Sequence, residues 1–415
     1  MDSVVSLDRP AKSPVPQATS PFRCDTDSHL VDQLVRIKEL YDEGKRSFVI
    51  ATHRDPDSDA IAACLGMDYL IRALIPGPVS IRWMHDGTLC AYLKEVSGKT
   101  TEPIANLEAL IEDHSVAIVV VDQPDLNLCT MLPRTLREDA RFRNRSPDIV
   151  LDHHGEARCD QGRVSFPDAG STAALVCRLL DLAHFYSLTP KSLVLDGVDS
   201  RLPLLLNMGA RTDAGISVMG ELPSSVSDYT RWVVEQTQAK VDPKDAALFD
   251  VLKAHDGQLL KTARTHARVR KGIALEGVTA EVVVTHAGVA DSPHCIGACA
   301  SELFREKLAE KQGAARVVVV MFGIIRPDGA AESHELHKGE TIHVSIRSEE
   351  GISAEKIAQR LSSDGGGRPS AAGFQIEVPD NFENVSDEVF LGHCLSLANA
   401  KLTWREQFSW TLDTK

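Results

Sequence analysis

An excess of basic charge is missing from this chain. Its 415 residues carry a formal net charge of -14, whereas a protein that coats long nucleic acid needs a basic surface to displace condensed counterions. A short nucleotide stays compatible, because a few local cations or metal ions hold one against an unfavourable overall field. A disulfide framework is missing too: nine cysteines, an odd number, are spread without regular spacing. The opening stretch MDSVVSLDRPAKSPVPQATSP lacks the apolar centre of a signal peptide. Reduced thiols and a cytoplasmic location are the expectation. No apolar run reaches the roughly 18 residues of a membrane span, so no membrane partner is expected. No internal repeat is visible.

What is present is the composition of a globular protein, 43% hydrophobic and 25% charged, which can bury enough apolar surface to offset the entropy of folding. The length predicts two domains. Residues 1–27, rich in Pro, Ser and Asp, read as a disordered tail. From Ser28 on, HLVDQLVRIKELYDEG has helical spacing and SFVIATH is a short buried-strand run. DSDAIAACLGMDYLIRAL (helix), PVSIRWM (strand), IANLEALIEDH (helix), VAIVVVDQ (strand) and DIVLDHH (strand) continue the alternation. Strands apolar along their whole length, alternating with helices, predict an α/β fold: a doubly wound, mainly parallel sheet covered on both faces.

That first domain is taken as 28–264. The basic stretch THARVRKG at 265–272 reads as a solvated linker, and a smaller α/β domain follows over 265–385: strand GVTAEVVVTH, helix CIGACASELFREKLAEK, strand ARVVVVMFGI, hairpin strand TIHVSIRS, helix AEKIAQRL, a Gly-rich turn and strand GFQIEV. Residues 386–415 form a C-terminal extension with no assigned role.

Three apolar strands run directly into acidic or His-rich clusters: HRDPDSDA at 53–60, VDQP at 121–124 and LDHHG at 151–155. In a doubly wound sheet, ligands bind beyond the carboxyl ends of the strands, so His53, Asp57, Asp59, Asp122, Asp152, His153 and His154 converge on one edge. Asp213, in a Gly-flanked turn read from GARTDAG at 209–215, is a further candidate. So many carboxylates cannot ionise side by side without cations. Oxygen ligands with a minority of imidazole suit Mn²⁺ or Mg²⁺ better than the thiolate-rich sites of structural zinc. Two ions about 3.5 to 4 Å apart, bridged by one carboxylate, would activate water as two-metal phosphatases and nucleases do.

These motifs resemble those of the DHH phosphoesterases. HRDPDSDA looks like the first motif, and Asp122, DHH at 152–154 and Asp213 match the three that follow in order. HVSIRS at 343–348 and GGGRPSAAGF at 365–374 resemble the DHHA1 substrate-binding domain. The resemblance implies a metal-dependent phosphoesterase using two Mn²⁺ ions, with Mg²⁺ or Co²⁺ as substitutes. Under it, His53 and Asp57 hold one ion, Asp59, His153 and Asp213 the other, and Asp122 bridges them. Asp152 orients His153 from behind, and His154 faces the scissile phosphate. Gly365, Gly366 and Gly367 bring backbone N–H groups to a terminal phosphate, which Ser345 and Arg347 also grip. Arg368 stands where the family usually has His. An arginine clamps phosphate but does not titrate.

The substrate class implied is a short oligonucleotide or a pAp-like nucleotide, with a cyclic or linear dinucleotide as the alternative and a non-catalytic DHH-fold binding protein as the second. Long duplex nucleic acid is not expected as a partner, and the family analogy implies a homodimer. Plainer readings apply elsewhere. His294, Cys295 and Cys299 share a helix face but lack a second Cys pair, so buried core thiols are the reading there.

Overall fold

Strands that are apolar throughout need cover on both faces, and the computed structural model supplies it with helices. It describes residues 21, 24–53, 56–85, 93, 102–103, 113–124, 146–154, 157–160, 162–186, 188–189, 201–214, 222, 224, 226–241, 257–290, 293–326, 336, 340–362, 365–367, 369–378, 385–387, 389 and 391–394. The chain divides between 249 and 250 into two compact units.

In the first unit, helix α1 (Cys24–Asp42) precedes β1 (Ser47–Ala51), followed by α2 (Ser58–Leu74), β2 (Ser80–His85), β3 (Glu102–Pro103), β4 (Val116–Val121) and β5 (Ile149–Asp152). A short hairpin, β6 (Arg158–Asp160) and β7 (Arg163–Ser165), leads to helices α3 (Thr172–Phe185), α4 (Arg201–Asp213) and α5 (Asp228–Gln238). The sheet order is β3-β2-β1-β4-β5-β7-β6. All neighbours run parallel except β6 and β7. The chain builds outward from β1 to β3 and then returns to lay β4 on the other side of β1. The direction of winding therefore reverses between β1 and β4, where a doubly wound sheet opens its crevice.

Helix α1 begins at Cys24, ahead of the Ser28 at which folding is expected to start. The cause is a buried ion pair: Asp27 accepts two hydrogen bonds from Arg178 of α3, at 2.9 and 2.8 Å. The expected helix at 104–114 lies mostly outside the described residues.

The second unit holds a six-stranded sheet in the order β12-β13-β11-β10-β9-β8. Its strands are β8 (Arg268–Leu275), β9 (Val278–Ala290), β10 (Arg316–Ile325), β11 (Thr341–Ser348), β12 (Gly366–Gly367) and β13 (Ala371–Glu377). Only β9 and β10 pair in parallel. One face carries Val282, Val320, Phe322 and Val344 against Ile357 and Leu361 of helix α7 (Ala354–Leu361). The other carries Val283, Val319 and Met321 against helix α6 (Pro293–Glu310), with Leu259 and Ala263 of the helical stretch 257–266 in the same core. Those two residues draw the stretch ahead of 265 into this unit. The basic segment expected as a linker is instead strand β8, an exposed sheet edge whose Arg268, Arg270 and Lys271 are the charges that natural edges carry against aggregation. Its register shifts between Lys271 and Ile273, at Gly272 with φ +76°.

The expected C-terminal extension is not separate from this core. Leu391 and Cys394 are buried in it, and Arg326 donates to Asp387 at 2.8 and 2.7 Å.

Candidate metal centre

Each acidic or imidazole group reaches the sheet edge for a local reason. Strand β1 ends at Ala51 and delivers His53. Asp57 then caps α2, one of its oxygens accepting from the N–H groups of Asp59 and Ala60 at 2.9 and 3.0 Å. Asp59 lies in the first turn of α2 and is fully buried. Asp122 follows β4 with φ +60°, a left-handed conformation that aspartate tolerates better than most residues. Strand β5 ends in Asp152 and hands on His153 and His154. Asp213, expected in a turn, instead closes helix α4, which runs through Gly209.

Helix packing completes the cluster. A Cβ on Gly209 of α4 would lie 2.9 Å from the Cα of Asp59, so only glycine allows α4 to approach α2 this closely. The Ser58 and Thr212 hydroxyls are hydrogen-bonded to each other across the same helix pair. They fix the end of α4, and Asp213 with it, against the start of α2.

The candidate ligand atoms fall into groups that share members. His53, Asp57 and Asp122 form one, Asp59, His153 and Asp213 a second, and Asp122, His153 and His154 a third that shares a member with each, and in every group the atoms lie within 4.8 Å of one another. Asp122 divides its oxygens between the first two: Oδ2 is 3.2 Å from His53 Nε2, and Oδ1 is 3.5 Å from His153 Nε2. His153 Nε2 also lies 3.2 Å from Asp213 Oδ2 and 3.8 Å from Asp59 Oδ2.

The electrostatics are those of a crowded anionic cage. Burial, reinforced by Asp122 and Asp213, pushes the Asp59 carboxyl well above its ordinary range. Burial also opposes the charge on Asp122, but the neighbouring His153 and His53 imidazoles outweigh it and hold this carboxyl well below its usual value. For His153, burial works against the imidazolium, yet Asp213, Asp122 and Asp59 raise it to about 10. Its Nε2 is buried with no hydrogen-bond partner among the described residues. An imidazole nitrogen of this kind, ringed by carboxylate oxygens, fits a divalent cation taking mostly oxygen ligands.

One expectation needs correcting. Asp152 does not orient His153; it accepts from Nδ1 of His154 at 2.8 Å. The two imidazoles sit 4.1 Å apart and tilted by 51°, and His154 is the one within reach of Asp152. With Nδ1 held, Nε2 is the remaining polar atom of the His154 ring, whose side chain is 31% exposed while that of His153 is buried.

The sequence reading also missed residues that hold the carboxylates. The N–H groups of Thr172 and Ala173, in the first turn of α3, donate to Asp59 at 2.7 Å each. Thr172 donates its hydroxyl to Asp122 Oδ1 at 3.0 Å. The signal was there: GST at 170–172 before the apolar run AALVCRLL is a helix-start pattern, and Ser171 does cap α3.

In the second unit, the expected phosphate-binding residues are engaged within the fold. Ser345 is buried and accepts from Arg347, which also bonds Ser301 Oγ and the carbonyls of Ile346 and Gly297. A Cβ on Gly365 would strike the Ala358 carbonyl at 2.3 Å, and Gly367 has φ +141° with the Ala372 Cα 2.5 Å from its Cβ position, so both glycines are required by packing. Gly366 has open space on its Cβ side. Arg368 and the His294 side chain lie outside the described residues. Cys295 and Cys299 are buried in the core, as the plainer reading had it.

A family model described as the DHH family, N-terminal domain, matches residues 47–198, and a DHHA1 domain model matches residues 300–390, together more than half of the chain. The chain belongs to the DHH/DHHA1 family of phosphoesterases. As a member it is a phosphoester-hydrolysing enzyme, and its clustered Asp and His residues could hold a metal ion. The fold is similar to that of an exopolyphosphatase-related protein from Bacteroides fragilis, at 16% identity and a TM-score of 0.56 over 90% of this chain and 98% of that one. An exonuclease RecJ bound to manganese (17% identity, TM-score 0.43, 94% and 95% covered) is a more distant likeness. So is a putative family II inorganic pyrophosphatase from Methanococcus jannaschii (14%, 0.35, 81% and 96%). No curated protein sequence matches this chain. Among the described residues, no helix is long and apolar enough to cross a membrane.

Proposed function

We propose that this DHH/DHHA1 enzyme hydrolyses phosphoester bonds of short oligonucleotides or pAp-like nucleotides with two Mn²⁺ ions, held by the His53, Asp57 and Asp122 group and by the Asp59, His153, Asp213 and Asp122 group. The observation that carries the reading is the division of Asp122: one oxygen faces each group. Divalent ions bound there would supply Lewis acidity toward a phosphoryl oxygen and a nucleophilic water at neutral pH.

The chain's own residues do the rest. Asp152 holds Nδ1 of His154, which leaves Nε2 of that partly exposed ring to hydrogen-bond a phosphoryl oxygen or to give a proton to the leaving oxygen. Burial of Asp59, Asp122 and His153 excludes water from the acidic groups and strengthens every interaction among them. The net charge of -14 favours short substrates over long strands, whose many phosphates need many cationic contacts. In the second unit, the open side of Gly366 is where a terminal phosphate could approach backbone N–H groups.

The test is turnover of a panel containing pAp, di- to pentaribonucleotides, cyclic dinucleotides and a long single strand, with Mn²⁺, Mg²⁺ or Co²⁺. Asp122→Asn serves as control, since asparagine keeps the left-handed backbone that alanine would strain. Turnover confined to short linear substrates and lost in the control is expected. Preference for a cyclic dinucleotide would replace the substrate assignment, and no turnover of any member would overturn it.

A further inference from the structure

Thr172 meets both acidic groups from one position. It is fully buried at the start of α3. Its N–H and that of Ala173 donate to the two oxygens of Asp59, and its hydroxyl donates to Asp122 Oδ1. The turn that leads into it is fixed independently. Gly170 has φ +74°, and a Cβ there would come within 3.2 Å of Ser227 Oγ and 3.3 Å of Thr230 Oγ1, at the start of α5. Thr172 is therefore held from outside the cluster and does not follow the carboxylates it touches.

We propose that Thr172 is a positioning residue that fixes the rotation of the Asp122 carboxylate and thereby sets the affinity of the Asp59, His153 and Asp213 group for a divalent cation. The inference rests on the metal reading above and adds to it a residue that itself binds no metal. The choice of oxygen carries the argument. The torsion that turns an aspartate carboxylate is broad, so nothing intrinsic keeps one oxygen toward His53 and the other toward His153. Thr172 bonds Oδ1, the oxygen on the His153 side, and leaves Oδ2 to His53. The same residue's N–H holds Asp59, which belongs to the same group as His153. Without the hydroxyl, Oδ1 loses its donor inside a buried site and the carboxylate is free to turn. Hydrogen-bond partners behind metal ligands typically change metal affinity by roughly 10- to 100-fold.

The experiment is a Mn²⁺ titration of the full chain, with free ion followed by electron paramagnetic resonance, on wild type, Thr172→Val, Thr172→Ser and Thr172→Ala. Valine keeps the shape and the backbone N–H but removes the hydroxyl. Serine and alanine differ from each other by the hydroxyl alone, and they carry the comparison where circular dichroism shows the valine variant unfolded. Two classes of Mn²⁺ site are expected in wild type. In Thr172→Val and Thr172→Ala one class weakens at least tenfold while the other changes by less than about threefold, and Thr172→Ser restores the loss. Unchanged titrations, equal weakening of both classes, or a serine variant as weak as alanine would overturn the proposal while leaving the metal reading in place. A wild-type chain that binds no Mn²⁺ would remove the metal reading, and this inference with it.

Discussion

Asp152 and Asp122 are both acidic, both buried and both at strand ends, yet they face different partners, and that difference is set residue by residue. Asp122 sits among His53, His153 and Thr172, whereas Asp152 meets His154 at 2.8 Å. The family resemblance implied His153 as the partner of Asp152, the usual arrangement of a carboxylate behind a ligating imidazole. Adjacent side chains at a strand end point to opposite sides, and the residue two positions on returns to the same one. Asp152→Asn keeps the shape but no longer favours a proton on His154 Nδ1. Turnover is expected to fall by about 10²-fold, with KM little changed and Mn²⁺ affinity within about threefold of wild type. A parallel loss of Mn²⁺ affinity would return Asp152 to the support of His153.

At the scale of elements, periodicity made most of the fold legible. Apolar runs gave β1, β4 and β5, since a strand buried on both faces has no polar alternation to blur it. The acidic clusters of the metal site were legible for the same reason, each following such a run. What stayed hidden was set by packing between elements distant in sequence: Gly209 reads as half of an ordinary loop signal, and β8, with its charges, reads as a linker. Gly209→Ala tests that kind of contact. The methyl group would improve helix propensity by about 1 kcal/mol, but it meets the Asp59 Cα at 2.9 Å and the Ala173 Cβ at 3.1 Å. Backbone cannot yield as a side chain does, so a net loss of about 1 to 2 kcal/mol is expected in urea unfolding. Gly66→Ala, which drives a methyl into Val176 Cγ1 at 2.3 Å between α2 and α3, should also destabilise. Gly209→Ala should weaken Mn²⁺ binding more than Gly66→Ala does, because the Gly209 methyl meets Asp59 itself. Equal effects on metal from both substitutions would show that α4 does not set the site.

On the scale of the whole molecule, the second unit carries a titration of its own. His286 on β9 is buried, its Nδ1 has no hydrogen-bond partner among the described residues, and its ring lies 4.2 Å from that of His266. Burial, then the charges of His266 and Arg268, lower its pKa to about 4 from the ordinary 6.5. The unfolded chain therefore takes up a proton as pH falls below 6.5, and the folded chain refuses it until about 4. Above that window His286 is neutral in both states and contributes no pH dependence. Within it, acid favours the unfolded state, and by pH 4 the cost is roughly 3 kcal/mol. A glutamine at this position carries no proton in either state. Urea midpoints followed by circular dichroism from pH 8.5 to 4.5 should fall more steeply in wild type than in His286→Gln as pH drops, with the two curves parallel above pH 7. Parallel curves across the whole range would mean that His286 is protonated in the folded unit with His266 beside it, and the acid sensitivity of the molecule would then have to come from its carboxylates.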